Sequence, residues 1–196
     1  MTQKVLGNAE KGKLFVISAP AGSGKTTLSR MLTSEFNCVV ESVSYTTRQP
    51  RLGEVDGKDY FFVSKEVFKE LEALGHFIET AHVFGNDYGT SKTFITDHQQ
   101  KGQHVLLVID VQGAMKLQEM KLDAVYVFIK PPSMLALKER LVMRKTDSHE
   151  SIEKRLAMAQ EEMNHVKFYD YVIINDNLAS AYEALRAILI AEEHKI

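Results

Sequence analysis

Leu14-Phe15-Val16-Ile17-Ser18 runs directly into Ala19-Pro20-Ala21-Gly22-Ser23-Gly24-Lys25-Thr26-Thr27-Leu28: an apolar strand, a loop of small residues and the opening of a helix. Such a loop turns its backbone N–H groups onto phosphate oxygens, and the helix it opens adds the positive end of its dipole. Lys25 then reaches the β- and γ-phosphates and Thr26 ligates Mg²⁺, so the segment from Ala19 to Thr27 is expected to hold a nucleoside triphosphate. The pattern GxxxxGK[ST] begins with glycine, whereas Ala19 stands at that place; the first turn must avoid positive φ or accommodate a Cβ.

Outward from this loop, apolar runs at 14–18, 105–109, 125–129 and 171–174 alternate with longer stretches of helical periodicity, the pattern of a parallel sheet buried on both faces. Residues 39–43 supply a fifth candidate strand, and a last helix from Leu178 to Glu193 puts Ala181, Leu185, Ile188 and Leu189 on one face. The expected fold is α/β: a P-loop core with a doubly wound, five-stranded parallel sheet made from residues 1–43, 93–132 and 166–196. Two segments break the alternation. Residues 44–92, with Pro50, Gly53, Gly57, Gly85 and Gly89, short β-like runs at 60–63 and 77–83 and an amphipathic helix near 65–74, read as an inserted, mostly antiparallel unit. Residues 133–165 read as two charged helices broken around 145–148, where Asp147 or Ser148 would cap the second, and suit a helical lid.

Composition narrows the class. The chain has 196 residues, 44% hydrophobic and 26% charged, enough for one well-buried domain with inserts. A net charge of −2 argues against a nucleic-acid or anionic-membrane partner, and no apolar run is long enough to span a bilayer. Cys38 is the one cysteine, which excludes an internal disulfide and suits a reducing, cytoplasmic setting; a monomer or weak homo-oligomer is expected. The seven histidines show no metal-ligand spacing.

A second constellation follows the core's first half. Ser44-Tyr45-Thr46-Thr47-Arg48-Gln49-Pro50-Arg51, then Gly53-Glu54 and Gly57-Lys58-Asp59-Tyr60, bring two guanidinium forks and a phenol into one turn-rich segment, a clamp for a phosphate monoester. With the P-loop, this segment, Gly85-Asn86-Asp87-Tyr88-Gly89-Thr90, Ile109-Asp110-Val111-Gln112-Gly113 and Pro131-Pro132-Ser133, the chain resembles the guanylate kinases along nearly its whole length. The resemblance implies phosphoryl transfer from ATP to GMP or dGMP with Mg²⁺, a GMP-binding unit at 44–92 and a lid at 133–165.

It also implies roles. Arg48, Arg51, Tyr60 and Tyr88 would hold the GMP phosphate, and Ser44, Glu79, Thr90 and Asp110 would read the guanine. Chemistry agrees: guanine offers N1–H and amino donors beside an O6 acceptor, so a selective pocket needs carboxylates and hydroxyls. Asp110, ending an apolar run, could also reach Mg²⁺ through water, and Val108 stands where relatives commonly carry another aspartate. Arg140, Arg144 and Arg155 would close over the triphosphate as catalytic arginines with Lys25 and Arg48; a solvated charged helix is the alternative. Asn175 would lie near the adenine or cap the last helix. Three other readings stay open: a scaffold module binding phosphopeptides, a kinase of the same fold with another acceptor, and a P-loop switch or ATPase.

Overall fold

The computed structural model describes residues 5–143 and 149–195. Along the chain come β1 (Leu14–Ser18), α1 (Lys25–Glu35), β2 (Val39–Glu41), β3 (Tyr45–Thr46), β4 (Phe61–Phe62), α2 (Lys65–Ala73), β5 (Phe77–Val83), β6 (Asn86–Ser91) and α3 (Lys92–Gln100). Then follow β7 (His104–Ile109), α4 (Val111–Glu119), β8 (Val125–Lys130), α5 (Met134–Met143), α6 (His149–Glu162), a 3₁₀ turn at Met163–Phe168, β9 (Tyr171–Ile174) and α7 (Leu178–Glu193).

β2, β7, β1, β8 and β9 lie side by side in that order, all parallel, with Ile17 between Val108 and Val127. Every residue of β1 is buried because both faces of its strand are covered. Phe15 and Ile17 point into one cluster with Leu28 and Leu32 of α1 and Leu185 and Leu189 of α7. Leu14 and Val16 point the other way, to Ile95 of α3 and Ala114 and Leu117 of α4. This is the expected doubly wound core, and four of its strands begin and end within one residue of the expected runs. β2 stops at Glu41, two residues short of the expected end.

The second sheet has the order β4-β3-β6-β5; β3 and β4 are parallel, and the other pairs are antiparallel. Its small core is aromatic: Tyr45 stacks on Phe61 and Phe68 on Phe77, each at 4.7 Å between centroids. The segment at 85–90, outside the β-like runs expected at 60–63 and 77–83, is largely strand β6. Gly89 sits there because a Cβ would come within 2.8 Å of the Phe77 ring, so the glycine serves close approach and not a turn.

α5 and α6 are the two expected charged helices, joined by a cluster of Leu137, Leu141, Ile152 and Ala159. The expected caps Asp147 and Ser148 lie outside the described residues. The last helix is capped by Asn177, whose side chain accepts from Ser180 N at 3.0 Å. Asn175 does not cap it; its amide is turned the other way, into the P-loop, at 2.8 Å from the Ser23 carbonyl.

Far along α7, the Glu193 carboxylate gathers donors from Gly7 N (2.6 Å), Asn8 N (3.1 Å) and Nε2 of buried His104 (2.6 Å). His104 Nδ1 in turn accepts from Lys13 N at 3.0 Å, which fixes the proton on Nε2. This knot ties the first described residues to the start of β7 and the end of α7.

Candidate active site

The loop after β1 is built on two left-handed glycines, Gly22 (φ 96°) and Gly24 (φ 99°). At Gly24 a Cβ would also lie 2.3 Å from Asn175 Nδ2, so the position excludes any side chain on two counts. Among the described residues only Phe84 and Lys121 are non-glycine with positive φ, so Ala19 avoids the conformation that would have demanded glycine at the head of the pattern. Lys25 Nζ donates to the Ala19 carbonyl. Ser23 N closes the loop onto Pro20 O at 3.1 Å, and Asn175 braces it from β9.

One cleft of about 980 Å³ is lined both by this loop, from Ala19 through Thr27 except Ser23, and by the second sheet with its connections. Ser44, Arg48, Arg51, Tyr60, Glu79, Tyr88, Asp110 and Arg155 all face it. Arg48 is anchored by Glu54 (2.8 Å) and lies over the Tyr60 ring at 5.3 Å, and Tyr88 meets Tyr60 edge-on at 6.0 Å. Glu54 is a residue the sequence reading missed. Its second oxygen accepts from the backbone Arg51 N at 2.7 Å, so one carboxylate holds the Arg48 guanidinium and the Arg51 backbone. Burial pushes its pKa up, but the Arg48 and Arg51 contacts outweigh that and hold it below the ordinary value.

Glu79, 7% exposed, accepts from Thr90 Oγ1 at 2.6 Å. Thr90 itself is fully buried behind it and does not line the cleft. Burial pushes the Glu79 carboxyl from 4.5 up to about 7, against the Thr90 hydrogen bond and with the Asp110 charge adding to the rise. Asp110 caps α4 through Gly113 N (2.8 Å), while its other carboxylate oxygen is buried without a partner. That orphaned oxygen fits a cation's water shell or a donor on a base. Among the described residues no cluster of three acidic, histidine or cysteine side chains could hold a metal alone, so a cation here would take its remaining ligands from phosphate and water.

Glu162, at the end of α6, is a second missed carboxylate in the same cleft. Burial raises it to about 7, opposed by Lys25 and reinforced by Asp110. The signal was present, because Glu162 continues the apolar stripe of Ile152 and Ala159.

Both raised carboxyls make the folded protein bind protons more readily than the unfolded chain. Their contribution to stability is therefore full below 4.5 and lost as pH rises through about 7. We expect Tm to fall by at least about 5 °C from about pH 5 to about pH 8, and Glu79→Gln to flatten that slope in thermal melts.

The arginines of α5 and α6 divide. Arg155 faces the cleft, and its guanidinium lies 5.0 Å from the Phe84 ring centroid. Arg140 stands outside the cleft lining and donates to the Asn175 carbonyl at 2.8 Å, supporting the residue that braces the loop. Arg144 lies outside the described residues.

The guanylate kinase family model matches residues 11–192. The guanylate kinase of Protochlamydia amoebophila (strain UWE25) is 52% identical, covering 97% of this chain and 96% of that one. That of Dechloromonas aromatica (strain RCB) is also 52% identical, over 92% of this chain and 89% of its own. The crystal structure of guanylate kinase from Anaplasma phagocytophilum superposes with a TM-score of 0.79 at 40% identity, covering 95% of this chain and 88% of that one. With the glycine loop after β1 and Arg48, Arg51, Tyr60 and Tyr88 lining one cleft, and with these matches along nearly its full length, the chain belongs to the guanylate kinase family.

Proposed function

We propose that the protein transfers the terminal phosphoryl group of ATP to GMP, and to dGMP through the same base and phosphate contacts, releasing ADP and GDP or dGDP. The observation that carries this is the single cleft in which Lys25 and Thr26 face Arg48, Arg51, Tyr60 and Tyr88, with Glu79 and Asp110 beside them. A triphosphate and a monophosphate have separate seats in it, opening toward each other.

The loop from Ala19 to Thr27 would hold the ATP phosphates with its N–H groups, Lys25 neutralising charge on the transferred group. Arg48 and Arg51, held by Glu54, would grip the GMP phosphate with the Tyr60 and Tyr88 hydroxyls and aim it at the donor. Glu79 and Asp110 would accept from guanine N1–H and the amino group, with Ser44 at O6 and Thr90 acting through Glu79. Mg²⁺ would be held by Thr26 and, through water, Asp110, and it would spread the charge of the β- and γ-phosphates. Arg140 and Asn175 support the loop on the ATP side, while Arg144 and Arg155 belong to residues 133–165, which act as a lid. Residues 44–92 are the GMP-binding unit. The protein works as a cytoplasmic monomer or weak homo-oligomer.

No strong general base is assigned, because a loose transition state puts little demand on proton removal from the acceptor phosphate. Water exclusion matters more, since a water admitted beside Lys25 would hydrolyse ATP. The test is ADP release from ATP and Mg²⁺ with GMP, dGMP, IMP, AMP, CMP and UMP supplied in turn. Strong release with GMP and dGMP, weaker with IMP and none with the others is expected; equal release with AMP would sink the proposal.

A further inference from the structure

Phe84 and Gly85 form the two-residue connection between β5 and β6, with φ of 49° and 79°. Positive φ at both central residues, flanked by the paired Val83 and Asn86, is the hairpin turn that most favours Asn-Gly. A phenylalanine in the left-handed region is strained, and this one is also half exposed, so neither turn geometry nor burial accounts for it. Its contact across the cleft does. The Arg155 guanidinium lies 5.0 Å from the ring centroid, and both residues line the cleft that contains Lys25.

We propose that Phe84 is a positioning residue that docks Arg155, so that the hairpin carrying the acceptor contacts also sets a catalytic arginine. The inference rests on the reading of Arg155 as a lid arginine acting on the triphosphate. A cation held over a ring keeps its full charge, so an arginine docked on Phe84 can still act on a phosphate. β5 carries Glu79 and β6 carries Tyr88, so a GMP that orders this hairpin also orders the seat of Arg155. Strain at Phe84 is the cost of that coupling, and its benefit is that one hairpin sets both the acceptor contacts and the arginine.

The experiment compares Phe84→Asn, Phe84→Tyr and Arg155→Met, with the double variant Phe84→Asn/Arg155→Met. Phe84→Asn suits the turn, so Tm should rise by about 2–4 °C. Its kcat should nevertheless fall about tenfold, with KM for GMP within about twofold of the parent. Phe84→Tyr, which keeps the ring face, should retain nearly parental kcat. Adding Phe84→Asn to Arg155→Met should cost nothing further. Parental kcat in Phe84→Asn beside an impaired Arg155→Met would overturn the docking role and leave the kinase reading standing. So would an undiminished loss on the Arg155→Met background. Parental kcat in Arg155→Met would instead remove the lid-arginine reading, and the docking role with it.

Discussion

Lys25→Met should lower kcat by about 10³-fold while leaving GMP affinity and the fold intact. The lysine ammonium is the one P-loop charge available to the transferred phosphoryl group, and in a water-poor site such a donor is worth far more than in solution. The loop has other supports besides the Lys25 bond to the Ala19 carbonyl. Gly22 and Gly24 set the backbone, Ser23 N closes onto Pro20 O, and Asn175 braces the Ser23 carbonyl. Lys25 also lowers the pKa of Glu162, so the variant's Glu162 should titrate higher still. Kinetics, GMP titration and circular dichroism would check the three parts together. Substantial ADP production by a folded Lys25→Met protein would end the phosphoryl-transfer reading.

The second large effect separates grip from base reading. If Arg48 grips the acceptor phosphate as proposed, Arg48→Ala removes a contact that GMP and IMP share, and both should weaken alike. Glu79→Gln replaces an acceptor-only carboxylate by an amide whose NH₂ would face the guanine donors, leaving buried groups mismatched at about 1–3 kcal/mol. GMP binding should therefore weaken about 10- to 100-fold, and IMP, which lacks the amino group, should weaken less. Because the Glu79 carboxyl titrates near 7, GMP binding to the parent at neutral pH should also release a proton. Calorimetry in buffers of different ionisation enthalpy would show that release in the parent and its disappearance in Glu79→Gln. Equal losses for GMP and IMP in both variants would show that Glu79 does not read the base.

The core was legible in the sequence because its signals are local. A strand buried on both faces must be apolar throughout, and Gly24-Lys25-Thr26 after such a run admits few other readings. The second sheet was harder to read. β3 is two residues long, and Gly85, Asn86 and Gly89 carry turn signals even though Gly89 lies inside a strand beneath Phe77. Arg48, Tyr60 and Tyr88 were named within their motifs and Glu79 through the family resemblance, and the fold brings them to one cleft. Glu162 and Phe84 were passed over because their significance depends on a partner distant in sequence or on a backbone angle, whereas Glu54, six and three residues from Arg48 and Arg51, stood within reach of the sequence and was given no role. Glu162 reads as one more charge on a charged helix until Lys25 and Asp110 are seen facing it.

The knot at Glu193 bears on where such a protein can be improved. Burial works against that carboxylate, but donors from Gly7, His104 and Asn8 hold it down at about 2, so its stabilisation is lost as pH falls from 4.5 toward 2. Glu79 and Glu162 lose theirs in the opposite direction, as pH rises toward 7. The fold is thus most secure in mild acid, where Glu79 is protonated and, in its proposed role, a poor acceptor for guanine. Heat selection at neutral pH would favour uncharged residues at 79 and 162, and its survivors would be robust proteins that had ceased to recognise their acceptor.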